Sequence, residues 1–179
     1  MGDYLVVHVP RGRAAETGDR LRAAIAADAG WTLALGLYQL AVYVRGPRPP
    51  AVRPLPRQAG VLIGEIYDAS ATREGRVADF PLGELPDLAP EDLARCLTAR
   101  GWGRYVAILK GHDEPPAIYR EPMGALECLT WTIGEAILVS SVVEAGKAWS
   151  PPDLAIDWPA VGRLLADSVL WSQICPLQG

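Results

Sequence analysis

The sequence has no long hydrophobic run, no clustered basic stretch, and few of the residues that hold metals. Its first ten residues, MGDYLVVHVP, contain an apolar run much shorter than a signal core or a membrane span, with no basic lead and no cleavage pattern. A cytoplasmic protein without a membrane partner is expected. Gly2 invites a myristoylation reading, but that motif needs Ser or Thr where this chain has Val6, so the reading fails. Cys96, Cys128 and Cys175 make an odd set without CxxC spacing, and with only His8 and His112 beside them they compose no metal site. They are expected to be buried structural thiols. His8 alternates with Val7 and Val9 on an early strand, which points to a hydrogen-bonded structural role rather than a catalytic one. The formal net charge is −4 and the arginines are scattered, so nucleic acid is excluded as a partner.

What is present suffices for one folded domain: 179 residues, 50% hydrophobic and 21% charged, can enclose a full core. Residues 4–9 read as a strand stopped by Pro10. Residues 17–29 read as a helix with Leu21, Ala24, Ile25 and Asp28 at helical spacing and Gly30 beyond its end. The apolar segment 31–44 is interrupted by Gly36, and its Tyr, Val and Leu content favours two short paired strands. Residues 45–60, RGPRPPAVRPLPRQAG, carry five prolines among arginines and predict an extended surface connector.

The run GVLIGEIYD at 60–68 reads as a strand ending at its second glycine, followed by a helix over 70–78. Residues 90–100 predict a third helix, with Leu93, Cys96 and Leu97 inward and Gly101 as its stop. Four apolar stretches, 104–109, 117–119, 125–132 and 136–143, are punctuated by Gly and Pro as in an antiparallel meander. The composition changes at 150–157, and Asp157 is placed to cap a helix from Trp158 to about Gln173 with Val161, Leu164, Leu165, Ser168 and Val169 on one stripe. The tally predicts an α+β layered domain over residues 1–150 and a connecting helix over 151–179.

Three stretches, in order, carry a resemblance. Gly64-Glu65-Ile66-Tyr67-Asp68 is similar to an Asn-Gly-Glu-Ile-Tyr-Asn strand end. The run GWGRYVAIL at 101–109 is similar to an aspartate-glycine-x-phenylalanine-alanine strand. Tyr119-Arg120-Glu121-Pro122-Met123-Gly124 is similar to Arg-Asp-x-x-Gly, and Leu138-Val139-Ser140-Ser141 follows where an alanine-serine-glutamate turn is found. Together they resemble the N-terminal glutaminase-type domain of the asparagine synthetase family, class II amidotransferases with the N-terminal-nucleophile fold. The resemblance covers residues 4–145 and implies a four-layer αββα sandwich of two mostly antiparallel sheets.

The departures from that family bear on chemistry. Its active members use an N-terminal cysteine whose own α-amine acts as the base. Removal of Met1 here would expose Gly2, and Cys96 would need a cleavage inside a helix. The family's oxyanion donors are an asparagine side chain and the following glycine N–H; the asparagine position is Ile63, which has no donor, while Gly64 is retained. Losing one such donor costs about 10²- to 10³-fold in rate. The clamping arginine falls in a region replaced by the proline-rich segment, and the clamping aspartate has no counterpart. The pocket is therefore expected to be degenerate, formed by Gly2, Ile63, Gly64, Glu65, Asp68, Arg120 and Glu121, with the last four as a polar cluster at its mouth and no catalytic residue.

Within the family the chain is most similar to the lasso-peptide macrocyclases, which activate an Asp or Glu side chain of a precursor peptide with ATP and let the peptide's own α-amine attack. That reaction needs no ammonia. The resemblance implies a C-terminal synthetase domain as partner, carrying a Ser-Gly-Gly-x-Asp-Ser loop that is absent here, with ATP and magnesium bound there and no cofactor in this chain. The chain is accordingly expected to be a piece of a longer enzyme. The precursor peptide and its maturation protease are further expected partners. Two other readings stay open: a domain of an amide-forming synthetase that uses glutamine or ammonia, and a self-standing peptide-binding module.

Overall fold

A computed structural model describes residues 2–10, 15–37, 39–110, 115–144, 146–151, 155–156, 158–159, 161–162 and 177–178. Strand β1 (Asp3–His8) is followed by helix α1 (Ala15–Ala26), β2 (Thr32–Gly36), β3 (Leu40–Arg45), β4 (Val52–Pro54), β5 (Gly60–Asp68), α2 (Ala69–Arg73), α3 (Pro90–Arg100), β6 (Gly101–Leu109), β7 (Ala117–Arg120), β8 (Leu129–Ile133) and β9 (Ala136–Ser140), with β10 (Ala155–Ile156) and β11 (Leu177–Gln178) as a short separate pair. Two antiparallel sheets result, one ordered β2-β3-β1-β9-β8 and the other β4-β5-β6-β7.

Strand β1 shows why the fold is layered. Tyr4 and Val6 point into an apolar layer shared with Val61, Ile63, Val106 and Ile108 of the second sheet. Leu5 and Val7 point the other way, toward Leu21 and Ile25 of α1. Both faces of β1 are therefore buried, and its central run Tyr4–Val7 is continuously apolar instead of alternating. On the far side of the second sheet, Leu62, Ile66, Ala107 and Leu109 pack with Leu93 and Leu97 of α3. The order of layers is helix, sheet, sheet, helix. Each of Val61, Ile63, Val106 and Ile108 is almost wholly removed from water, which stabilises the sandwich by about 1.5–3 kcal/mol per side chain.

The ladder between β5 and β6 runs without interruption from Gly60 opposite Leu109 to Asp68 opposite Gly101. Its two halves differ. On the face turned to the first sheet, the pairs Val61–Ile108 and Ile63–Val106 are buried. The next two pairs on that face, Glu65–Arg104 and Tyr67–Trp102, extend beyond the apolar layer and reach solvent. Two glycines permit the close approach of the strands there. Gly64 (φ 104°) and Gly103 (φ 148°) occupy backbone conformations that residues with side chains rarely adopt, and a Cβ on either would collide with the carbonyl oxygen of Arg104 or Glu65, respectively.

Several expectations are corrected. Gly64 does not end a strand; it lies in the middle of β5, and its missing side chain serves a cross-strand approach instead of a turn. The segment 45–60 is not wholly a surface connector: Val52–Pro54 forms β4 and pairs with Val61–Ile63. The four stretches after residue 104 do not form one meander, because β6 and β7 belong to one sheet and β8 and β9 to the other. Helix α2 stops at Arg73, well before residue 78, with Gly75 in a left-handed turn beyond it. Cys96 and Cys128 are half-buried rather than buried, and Cys175 lies outside the described residues. Of the expected helix from Trp158 to Gln173, only 158–159 and 161–162 are described, as helix; Asp157, Leu164, Leu165, Ser168 and Val169 lie outside. No helix among the described residues is long and apolar enough to cross a membrane.

His8 also differs from expectation. It is buried, and its Nδ1 has no hydrogen-bond partner among the described residues. Burial, reinforced by the Lys110 charge, lowers its pKa below the ordinary 6.5. The unfolded chain therefore takes up the proton first as pH falls below 6.5, and native stability declines until the lowered folded value is reached. Denaturation midpoints followed downward from above pH 6.5 will show this loss, and His8→Leu will flatten the profile across that window. A second expected outcome concerns the ladder: Gly64→Ala and Gly103→Ala will each cost about 1–3 kcal/mol in equilibrium unfolding, whereas Glu65→Gln, on the exposed half, will stay within about 0.5 kcal/mol.

Candidate functional site at one end of the sandwich

The residues singled out by the resemblance gather around the end of the sandwich where β1 begins and β5 and β6 project. Val52, Ile63, Val106 and Arg120 stand in one cross-strand row. Ile63 is fully buried and contributes only hydrocarbon to the layer between the sheets. The neighbouring backbone is occupied as well: the Gly64 N–H donates to the Ala51 carbonyl at 2.8 Å. Gly2 is buried at the start of β1, and its N–H donates to the Arg48 carbonyl at 2.8 Å. The proline-rich segment thus satisfies both backbone donors through its own carbonyls.

Arg120 and Glu121 hold the chain as it crosses from one sheet to the other. Arg120 Nε donates to the Leu126 carbonyl at 2.9 Å, and its Nη2 donates to the Gly124 carbonyl. The Glu121 carboxylate, only 4% exposed, accepts the Met123 N–H at 2.6 Å and the Ala125 N–H. The Tyr4 hydroxyl donates to the Glu127 carbonyl at 2.7 Å from the opposite sheet. Three side chains therefore fix a seven-residue crossing, 121–127, whose apex Met123 is exposed.

Glu65 and Asp68 lie elsewhere on the projecting ladder. Glu65 receives Arg104 Nε at 3.2 Å, with both side chains about half exposed. Asp68 caps α2, accepting the Ser70 N–H at 2.7 Å, and the Ser70 hydroxyl, followed by that capping bond, lowers its pKa. Glu65, Asp68, Arg120 and Glu121 are each engaged separately: Glu65 across the ladder, Asp68 on its own helix, and the other two on the crossing.

The chemistry available at this end is limited by its surroundings. Burial pushes the Tyr4 phenol well above its ordinary range, with the neighbouring Cys128 adding to the effect. Burial also raises the Cys128 thiol, despite the neighbouring Tyr4 hydroxyl and the Arg120 charge, which act the other way. An activated thiolate needs the opposite displacement. Among the described residues no group of three or more His, Cys, Asp and Glu is placed to hold a metal ion.

Sequence reasoning did not single out Tyr67 and Trp102, whose rings lie 4.9 Å apart at 36° on the projecting ladder, with Trp102 Nε1 donating to Thr72 Oγ1 at 2.7 Å. The alternation of Glu65 with Tyr67 and of Trp102 with Arg104 was the available signal, since residues two apart share one face of a strand. Exchange of Glu121 for Gln will place an amide NH₂ where a buried carboxylate oxygen now accepts a backbone N–H. The expected loss is about 1–3 kcal/mol, with faster amide exchange at Met123 and Ala125 as the local readout. Comparison with protein-family models, with curated proteins and with solved structures returns no match for this chain.

Proposed function

We propose that the chain is a glutaminase-type domain of the asparagine synthetase family, with a degenerate N-terminal-nucleophile fold, that has given up glutamine hydrolysis and supports an ATP-dependent, lasso-peptide-forming cyclase. The observation that carries the reading is the filled oxyanion position: Ile63 supplies hydrocarbon to the core, and the adjacent Gly64 N–H is already committed to Ala51. A tetrahedral oxyanion needs preorganised donors aimed at it. Neither donor of the family pattern is available, and Gly2 offers no nucleophile in place of the family's cysteine.

Two features support the family part of the reading. The ordered motifs at 64–68, 101–109 and 119–124 fall on the central ladder and on the crossing that leaves it. Two antiparallel sheets face each other with α1 and α3 outside them, the layering that the resemblance implies. In a cyclase the attacking amine belongs to the peptide itself, so a domain released from making ammonia retains its packing role alone. ATP and magnesium would then be handled by a second, synthetase domain, and the precursor peptide would meet that domain in the cytoplasm.

The purified chain will release no ammonia from glutamine above the uncatalysed background. Ile63→Asn will not restore release, because Gly64 stays engaged, and the buried amide will cost about 1–3 kcal/mol of stability. Glutamine-dependent ammonia from the unaltered chain would overturn the inactive reading. For the cyclase part, the chain joined to an adenylating domain encoded in the same reading frame will convert an Asp- or Glu-containing peptide to a product lighter by one water, without free ammonia. Hydrolysed or amidated peptide as the sole product would reject it.

A further inference from the structure

Among the described residues, the projecting half of the β5–β6 ladder has an open edge. Hydrogen bonds around it fix which backbone groups face outward. The Gly64 N–H goes to Ala51, the Ile66 carbonyl accepts from Phe80, and the Asp68 N–H goes to Ala78, all on the side of β5 away from β6. In an antiparallel ladder the residues opposite these, Tyr105, Gly103 and Gly101, therefore direct their N–H and C=O groups away from β5. The Tyr105 carbonyl is met by the Glu121 N–H at 3.2 Å, and the Gly101 N–H by the Leu97 carbonyl. Strand β7 pairs only with Val106–Leu109 and ends there. Among the described residues nothing pairs with the outward N–H and C=O of Gly103.

Native sheets blunt such edges with prolines, inward charges or bulges. The far edge of β5 is covered by residues 78–80, through the bridge between Tyr67 and Asp79 and the bonds to Ala78 and Phe80. The β6 edge instead presents Gly103, with no side chain to obstruct a second backbone. On the adjoining face lie the Tyr67–Trp102 ring pair, with Trp102 44% exposed, and the half-exposed Glu65–Arg104 pair.

We propose that an extended peptide docks here as an added strand, continuing the line of β7 along residues 101–104 and exchanging backbone hydrogen bonds with Gly103. Main-chain pairing supplies affinity in this mode, and alternate side chains supply selection. A residue added to the row of Glu65 and Arg104 lies next to the guanidinium, so an acidic side chain continues the alternation of charge. A residue added to the row of Tyr67 and Trp102 lies beside the indole, so an aliphatic or aromatic side chain is favoured. The preferred ligand is an extended segment with an acidic and an apolar residue two positions apart. The surface is built by the fold itself and does not depend on the cyclase reading.

The test uses the whole chain, isotopically labelled for NMR, and a short capped peptide in which Glu and Leu alternate with Thr. In the free protein the Gly103 amide should exchange rapidly with solvent while the amide of Glu121 is protected. Peptide should slow exchange at Gly103 and shift resonances of residues 101–104, saturating below about 1 mM. Replacing Glu by Lys in the peptide, or Trp102→Ala in the protein, should weaken binding about tenfold. Two N-methylated peptides decide the geometry, since every second residue of an added strand faces β6: methylation of one alternate set should abolish binding and of the other set leave it unchanged. A Gly103 amide already protected in the free protein, no saturable shift at residues 101–104, or equal binding of both methylated peptides would each overturn the proposal.

Discussion

One ladder carries the domain. Between Gly60–Leu109 and Asp68–Gly101, β5 and β6 pair without a break, although their two halves face different surroundings. The half containing Val61, Ile63, Val106 and Ile108 excludes water by packing on β1, while the half containing Glu65, Tyr67, Trp102 and Arg104 remains in contact with it. Continuity across that boundary demands a close approach of backbones at Gly64 and Gly103, which no other residue type tolerates. The core, the burial of Ile63 and the strand edge left open among the described residues all follow from this arrangement. If the ladder slipped by one residue, Ile63 would turn out of the core and every charge on the projection would change face.

The same constraint explains why the proline-rich segment matters. A strand edge beside Gly64 would leave an N–H without a partner next to a dry layer, and a buried unpaired donor is costly. Ala51 supplies the acceptor, and β4 covers the rest of the buried half of β5. Arg48 supplies the acceptor for Gly2 at the start of β1. The segment therefore seals the end of the sandwich through the backbone carbonyls of Ala51 and Arg48.

Legibility in the sequence tracked the range of the interactions involved. Helix α3 could be read to the residue because Pro90 starts it and Gly101 stops it, both local signals. The pairing of β2 with β3 followed from composition and one interrupting glycine. Strand β4 could not be read, because its last residue is a proline and its pairing with Val61–Ile63 is decided by tertiary contact. The crossing at 121–127 looked like a hairpin turn, since Pro122 and Gly124 mark any reversal; what sends the chain to the other sheet is the buried Glu121 and the reach of Tyr4, which no local pattern encodes. At the site, the inability of Ile63 to donate was evident from its side chain alone. The engagement of the Gly64 N–H was not, because its acceptor, Ala51, lies thirteen residues away, just ahead of β4.

Under the proposed function, Arg120 is a motif residue kept for packing. In the crossing it binds two backbone carbonyls, and beside it Glu121 binds two backbone N–H groups. A loop held by charged side chains in this way cannot relax into solvent without leaving a buried carboxylate unpaired, which costs more than an ordinary contact. Selection on the stability of the crossing is therefore enough to keep an Arg-Glu-x-x-Gly pattern in place, with Gly124 at φ 62° completing the reversal. Ile63 stands under the opposite pressure. An amide in the dry layer would be a liability there, whereas an aliphatic side chain stabilises the sandwich. Arg120 and Ile63 then answer one packing requirement acting on the same cross-strand row.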